Sequence, residues 1–87
     1  MEIGSGGDFA RQLLSWNLKK HRAKLGLSQE DLGTRCGFHR TYVSRIERLE
    51  TGPTIDNVHR LAVGLGTTIG ELFNEREFHS AGEPSSH

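Results

Sequence analysis

Arg40, Thr41, Ser44, Arg45 and Arg48 lie within nine consecutive positions of an 87-residue chain. At helical spacing Arg40, Ser44 and Arg48 form one row, and Thr41 and Arg45 stand beside it. A guanidinium offers a planar pair of donors that matches guanine O6 and N7. Serine and threonine add a hydroxyl, and threonine a methyl group for thymine. The chemistry these residues suit is hydrogen bonding to base edges and phosphates, not bond making. A polar helix face is ordinary in itself, so its meaning depends on what surrounds it. On the other side of the same stretch Val43, Ile46 and Glu47 recur at i, i+3, i+4, the spacing of a face turned to a core.

The preceding residues read as a second short helix. Ser28 is an N-cap candidate with Asp31 three residues on, as in a capping box. Leu32, Gly33 and Cys36 share a face, and the small Gly33 and Cys36 suit close packing. Gly37 stands where a left-handed terminator is needed, and Phe38 is the apolar residue of the turn. The next helix starts near His39. Two short helices joined by a tight turn therefore span residues 28–48.

Ser28, Gln29 and Leu32, then Gly37, Tyr42-Val43-Ser44, Ile46-Glu47 and Pro53 together resemble the helix-turn-helix of the Cro and phage-repressor family, the XRE-type regulators. The likeness spans about Leu14 to Phe73. Residues 39–44, His-Arg-Thr-Tyr-Val-Ser, are also similar to the controller proteins of restriction–modification systems, a subgroup of that family. The resemblance implies an all-α, compact five-helix, lambda-repressor-like domain whose helix at about 39–48 enters the DNA major groove. It makes Arg40, Thr41, Ser44 and Arg45 the base-reading candidates. Gln29, His39 and Arg48, with Tyr42 and Arg35, become candidates for the DNA backbone, Gln29 at a helix N-terminus where phosphates bind. It further implies an ion pair between Arg22 and Glu47, and dimerisation through the C-terminal region, where Val63, Ile69, Phe73 and Phe78 are candidate interface residues. Leu49 stands where the family commonly has glycine, so the recognition helix is expected to run a residue or two longer.

The first helix is expected over Asp8–Lys24, with Asp8 as cap, and Phe9, Leu13, Leu14, Leu18, His21 and Leu25 recurring at helical spacing along it. His21 reads as a half-buried core histidine, Trp16 as a core or interface residue, and Gly26 as the terminator. Thr54 caps a fourth helix whose Ile55, Val58, Leu61, Ala62 and Leu65 form an apolar face; Gly66 ends it. Thr68 and Glu71 form a capping box for a short fifth. The organisation expected is a flexible N-terminus at 1–7, the domain at 8–79 and a disordered Ser/Gly/Pro/Glu/His tail at 80–87.

Net charge is zero, but residues 11–48 carry nine Lys/Arg against three acids, whereas residues 49–87 carry two Arg against six acids. The basic part is the part that faces DNA in the implied docking. No apolar run is long enough to cross a membrane, no signal peptide is visible, and the single Cys36 reads as buried and reduced. Histidines 21, 39, 59, 79 and 87 lack metal-ligand spacing, and no phosphate loop or nucleophile–base set appears. No enzyme, cofactor or metal is expected. The reading is a cytoplasmic, nucleoid-associated bacterial or phage regulator that binds double-stranded DNA as a homodimer on an inverted repeat. Its rival is an antitoxin or other interaction module that neutralises a toxin or other protein partner through its C-terminal surface or tail.

Overall fold

A computed structural model describes residues 3–78, with side chains from Asp8 onward. Among these residues there are five α-helices and no strand: α1 Ile3–Leu25, α2 Gln29–Cys36, α3 Arg40–Glu47, α4 Ile55–Leu65 and α5 Ile69–Leu72. Residues 76–78 are helical as well. The expected tail at 80–87 lies outside the described residues.

Local signals set most of the boundaries. Ser28 Oγ accepts from the Asp31 N–H at 2.9 Å and the Asp31 carboxylate accepts from the Ser28 N–H at 3.0 Å, a complete capping box. That bond to the Ser28 backbone holds the Asp31 carboxyl below its ordinary range. Thr54 Oγ1 caps α4 through the Asn57 N–H. Thr68 Oγ1 accepts from the Glu71 N–H, which is the hydroxyl half of the expected box. α1 and α4 end at Gly26 and Gly66.

Three expectations are corrected. α1 begins at Ile3, five residues before the proposed Asp8 cap. Gly4, Gly6 and Gly7 argue against helix on propensity, but extending a formed helix is far cheaper than nucleating one. α3 does not run on past Glu47: its C-cap is Arg48, and Leu49 takes the left-handed conformation, φ 64°. The Leu49 N–H bonds the Ile46 carbonyl and the Glu50 N–H the Arg45 carbonyl at 2.8 Å. These are the two bonds of a Schellman terminator, made here with leucine where glycine is usual. Ile55 is 64 % exposed rather than part of the core. As the first residue of α4 it lies a turn before Val58, at the rim of a surface groove with Pro53 and Phe73.

Leu14 and Leu18 of α1, Leu32 and Cys36 of α2, Val43 and Ile46 of α3, Val58, Leu61, Ala62 and Leu65 of α4 and Leu72 of α5 form one core. Leu27, Phe38, Tyr42, Ile69 and Phe73 pack on it, partly buried. Burial pushes the Cys36 thiol pKa up. α2 and α4 approach so closely that a Cβ at Gly64 would collide with Cys36 Sγ, and a Cβ at Gly33 would meet the Phe38 carbonyl oxygen at 2.5 Å. The small residues of α2 thus face a turn and a helix that leave no room for side chains.

Gly64→Ala should therefore destabilise the domain by about 1–3 kcal/mol through overpacking, read as a lower midpoint in urea. A second outcome concerns His21. Burial first, then Lys20 and Lys24, lower its pKa below 6.5, against opposing contributions from Glu71 and Glu77. The unfolded chain then takes up the proton more readily, so stability present above pH 6.5 is lost as pH falls below it. His21→Leu should flatten this part of the pH profile, measured as thermal midpoints at neutral pH and at about pH 5.5.

Candidate nucleic-acid interface

The buried carboxylate of Glu47 organises the motif. Arg22 of α1 grips it with two parallel hydrogen bonds, Nε to Oε2 and Nη2 to Oε1, each 2.8 Å. Gln29 at the start of α2 adds Nε2 to Oε1 at 2.9 Å. A third Arg22 donor, Nη1, bonds the Leu27 carbonyl at 2.9 Å. The bond to Glu47 raises the Arg22 pKa above its already high value, so the guanidinium stays charged. Ser15 Oγ donates to the Glu47 carbonyl at 2.7 Å. Two helices, α1 and α2, are thus fixed to one residue of α3, and Arg22 also ties in the α1–α2 loop.

A second polar cluster fixes the turn. Gly37 is left-handed at φ 78° and its N–H bonds the Gly33 carbonyl; the Phe38 N–H bonds the same oxygen at 2.8 Å. Two further carbonyls at the α2 end are met from α4. Arg60 Nη2 donates to Cys36 O at 2.7 Å and to Gly37 O at 3.2 Å, and Nε donates to Cys36 O at 3.2 Å. The Arg60 guanidinium lies 4.2 Å from the Phe38 ring centre, a cation–π contact. Phe38 meets Tyr42 edge-on at 4.8 Å, and Asn57 Nδ2 donates to the Tyr42 hydroxyl at 3.0 Å.

With both ends held, α3 presents its polar face. Gln29, Arg40, Thr41, Ser44 and Arg48 line one shallow groove of about 260 Å³. Arg45 is exposed outside that lining. Among the described residues Arg40 has no hydrogen bond or ion pair, which leaves its donors available. His39 is the N-cap of α3: its Nδ1 accepts from the Thr41 N–H at 3.1 Å. An imidazole that accepts at Nδ1 carries its proton on Nε2, which remains a donor.

The other candidates are placed differently. The Gln29 amide turns inward to Glu47, leaving its second N–H and the helix-end backbone donors for an anion. Tyr42 is half-buried and bonded to Asn57 of α4. Arg35 donates to the Gly64 carbonyl at 3.2 Å, so its side chain leans on α4. Arg48 pairs with Glu50 at 3.1 Å. Of the interface candidates, Val63 is 63 % exposed and Ile69 and Phe73 rest partly buried on the core. Phe78 meets Phe9 and Trp16 edge-on at 5.9 and 5.8 Å.

Sequence reasoning missed Arg60 and Asn57. Their signal was available: Asn57, Arg60 and Gly64 recur at i, i+3, i+7 beside the apolar stripe of α4. They form a second stripe, which faces the turn and α2. Among the described residues no cluster suited to a metal ion occurs, and no helix is long and apolar enough to cross a membrane.

Two short helices locked at a tight turn, the second displaying a basic groove, define a helix-turn-helix protein of the kind that reads DNA. The chain belongs to the helix-turn-helix family of transcriptional regulators, whose model matches residues 18–72. It is 37 % identical over 62 residues to a hypothetical transcription factor of Neisseria meningitidis serogroup B, covering 71 % of this chain but only 58 % of that protein. The restriction–modification controller protein C.AhdI of Aeromonas hydrophila is 33 % identical with a TM-score of 0.69, over 77 % of this chain and 98 % of that one. The controller protein C.Esp1396I was solved as a tetramer in complex with its natural 35 base-pair operator. It is 31 % identical with a TM-score of 0.66, over 76 % and 97 % of the two chains. These relatives are regulators, not enzymes.

Glu47 predicts the cost of disturbing the motif. Arg22→Leu leaves a carboxylate in the core with only an amide partner and should destabilise by about 3–5 kcal/mol. Replacing both partners, Arg22→Leu with Glu47→Leu, should recover most of that loss. A urea double-mutant cycle measures both. At the other end of the motif, His39→Ala should cost about 1 kcal/mol through the lost cap, and His39→Asn should restore it.

Proposed function

We propose that this chain is a homodimeric transcriptional regulator that places α3 in the major groove of each half of an inverted-repeat operator. Arg40, Thr41, Ser44 and Arg45 read base edges. Gln29, through its remaining amide and the α2 end, His39 through Nε2–H, and Arg48 hold the phosphates. Arg35 and Tyr42 act chiefly by fixing the motif to α4 and contact the backbone only at its margin. The observation that carries this reading is the groove shared by Gln29, Arg40, Thr41, Ser44 and Arg48, with Arg40 unengaged beside it. The operator complex of a similar controller protein supports it, and so does the symmetry argument that paired half-sites require paired domains. The C-terminal region carrying Val63, Ile69, Phe73 and Phe78 forms the dimer contact, in which Val63 is the exposed apolar residue. A controller-type regulator in the bacterial cytoplasm fits these features.

Selection of bound sites from random duplex DNA tests the proposal. The wild type should return an inverted repeat. Arg40→Ala should blur one position in each half-site, at a cost of about 1–3 kcal/mol per base contact. Weak, salt-sensitive binding with no motif would overturn it and point to a protein partner, such as the toxin of an antitoxin pair.

A further inference from the structure

The left-handed turn at Leu49 reverses the chain at the end of α3 and returns Glu50 to the helix it has just left. The Glu50 N–H bonds the Arg45 carbonyl. From that anchor the Glu50 carboxylate reaches two arginines of the candidate interface. Its Oε1 accepts from Arg48 Nη2 at 3.1 Å and lies 3.9 Å from Arg45 Nε. The two contacts differ in kind. On Arg48 the carboxylate occupies a terminal amino group, the end that a phosphate would take. Towards Arg45 it makes an ion pair without a hydrogen bond, facing Nε on the inner side of the guanidinium, which leaves the outer Nη1/Nη2 pair free to present its donors to a base.

From this geometry we infer that Glu50 is a positioning residue for DNA discrimination: it orients Arg45 for base readout, and it must be displaced from Arg48 before that arginine can hold a phosphate. The inference rests on the reading of α3 as the DNA-contacting helix. A duplex that offers only phosphates must displace the carboxylate from Arg48 and bring its own charge close to it, and like charges so juxtaposed disfavour the complex. An operator meets the same opposition but gains from an Arg45 already held in a reading orientation. Glu50 therefore weakens binding to arbitrary DNA more than binding to the operator. All three side chains are about half exposed, so the pairs contribute little to folding and the carboxylate can be altered without loss of the domain.

The test compares wild type, Glu50→Gln and the double variant Glu50→Gln/Arg48→Ala. Each full chain is titrated against the selected operator and against a scrambled duplex of the same length and composition, at one salt concentration. Glu50→Gln should bind the scrambled duplex about tenfold tighter while operator affinity changes less than about threefold, because Arg48 is gained as Arg45 loses its orientation. The double variant should lose the gain on scrambled DNA, and thermal midpoints should stay near that of the wild type. Equal tightening on both duplexes would reduce Glu50 to bulk charge and overturn the inference. So would no change on either duplex. A wild type without preference between the two duplexes would overturn the reading of α3, and the inference with it. A wild type that discriminates, joined with a Glu50→Gln ratio equal to its own, defeats the inference alone.

Discussion

A single buried carboxylate, that of Glu47, sets the geometry on which the interface depends. Burying a charge costs several kcal/mol before its partners are counted. Here the partners are a bidentate guanidinium from α1 and an amide from α2, and Ser15 takes up the backbone carbonyl of the same residue. Apolar residues of similar volume would hold the helices together as well or better. What apolar packing does not supply is direction. Two parallel N–H donors bind a carboxylate in one orientation, so the rotation of α3 about its own axis is fixed. That rotation decides whether Arg40 and Ser44 face outward or sideways.

The same economy of direction governs the charges. Residues 11–48 are strongly basic, yet several of these cations are already engaged inside the molecule. Arg22 is held by Glu47, Lys20 by Glu77 at 2.9 Å, Arg35 by a carbonyl and Arg48 by Glu50. Of the three arginines on the polar face of α3, Arg40 is the one whose side chain has no partner among the described residues. Net charge counted along the chain thus overstates what the surface offers, and a few placed arginines matter more than the total. Neutral overall charge is then no argument against an anionic partner.

Much of this was legible in the sequence because much of it is local. Capping boxes, terminal glycines and the 3.6-residue repeat of apolar positions are written within four residues of where they act, and α2, α4 and the turn at Gly37 fell where those signals put them. The polar row of α3 was equally readable, as spacing alone places Arg40, Ser44 and Arg48 together. The misses have a common physical origin. Gln29 looked like a surface amide and turned inward, because the competing acceptor sits eighteen residues away on another helix. Arg60 drew no reading from its sequence neighbours and became the cap of a distant helix. Ile55 obeyed the period yet sits beyond the edge of the core. Leu49 adopted a conformation its type disfavours by about 1–2 kcal/mol. That is tolerated where the chain must reverse and its side chain lines a groove with Trp16 and Phe78. Long-range partners decided each case; only for Arg60 does a local pattern, the stripe it shares with Asn57 and Gly64, point to them.

The Arg60 cap has a consequence for how far the motif is a separable part. In the turn between α2 and α3, the Gly37 and Phe38 N–H groups meet one carbonyl, and a guanidinium borrowed from α4 meets two more. The angle between the two helices is therefore a property of three elements, not two. A segment of residues 28–48 grafted onto another scaffold, or made as a peptide, would arrive with its turn carbonyls open to water and Phe38 uncovered. The smallest transferable unit of this protein includes α4 at least as far as Gly64.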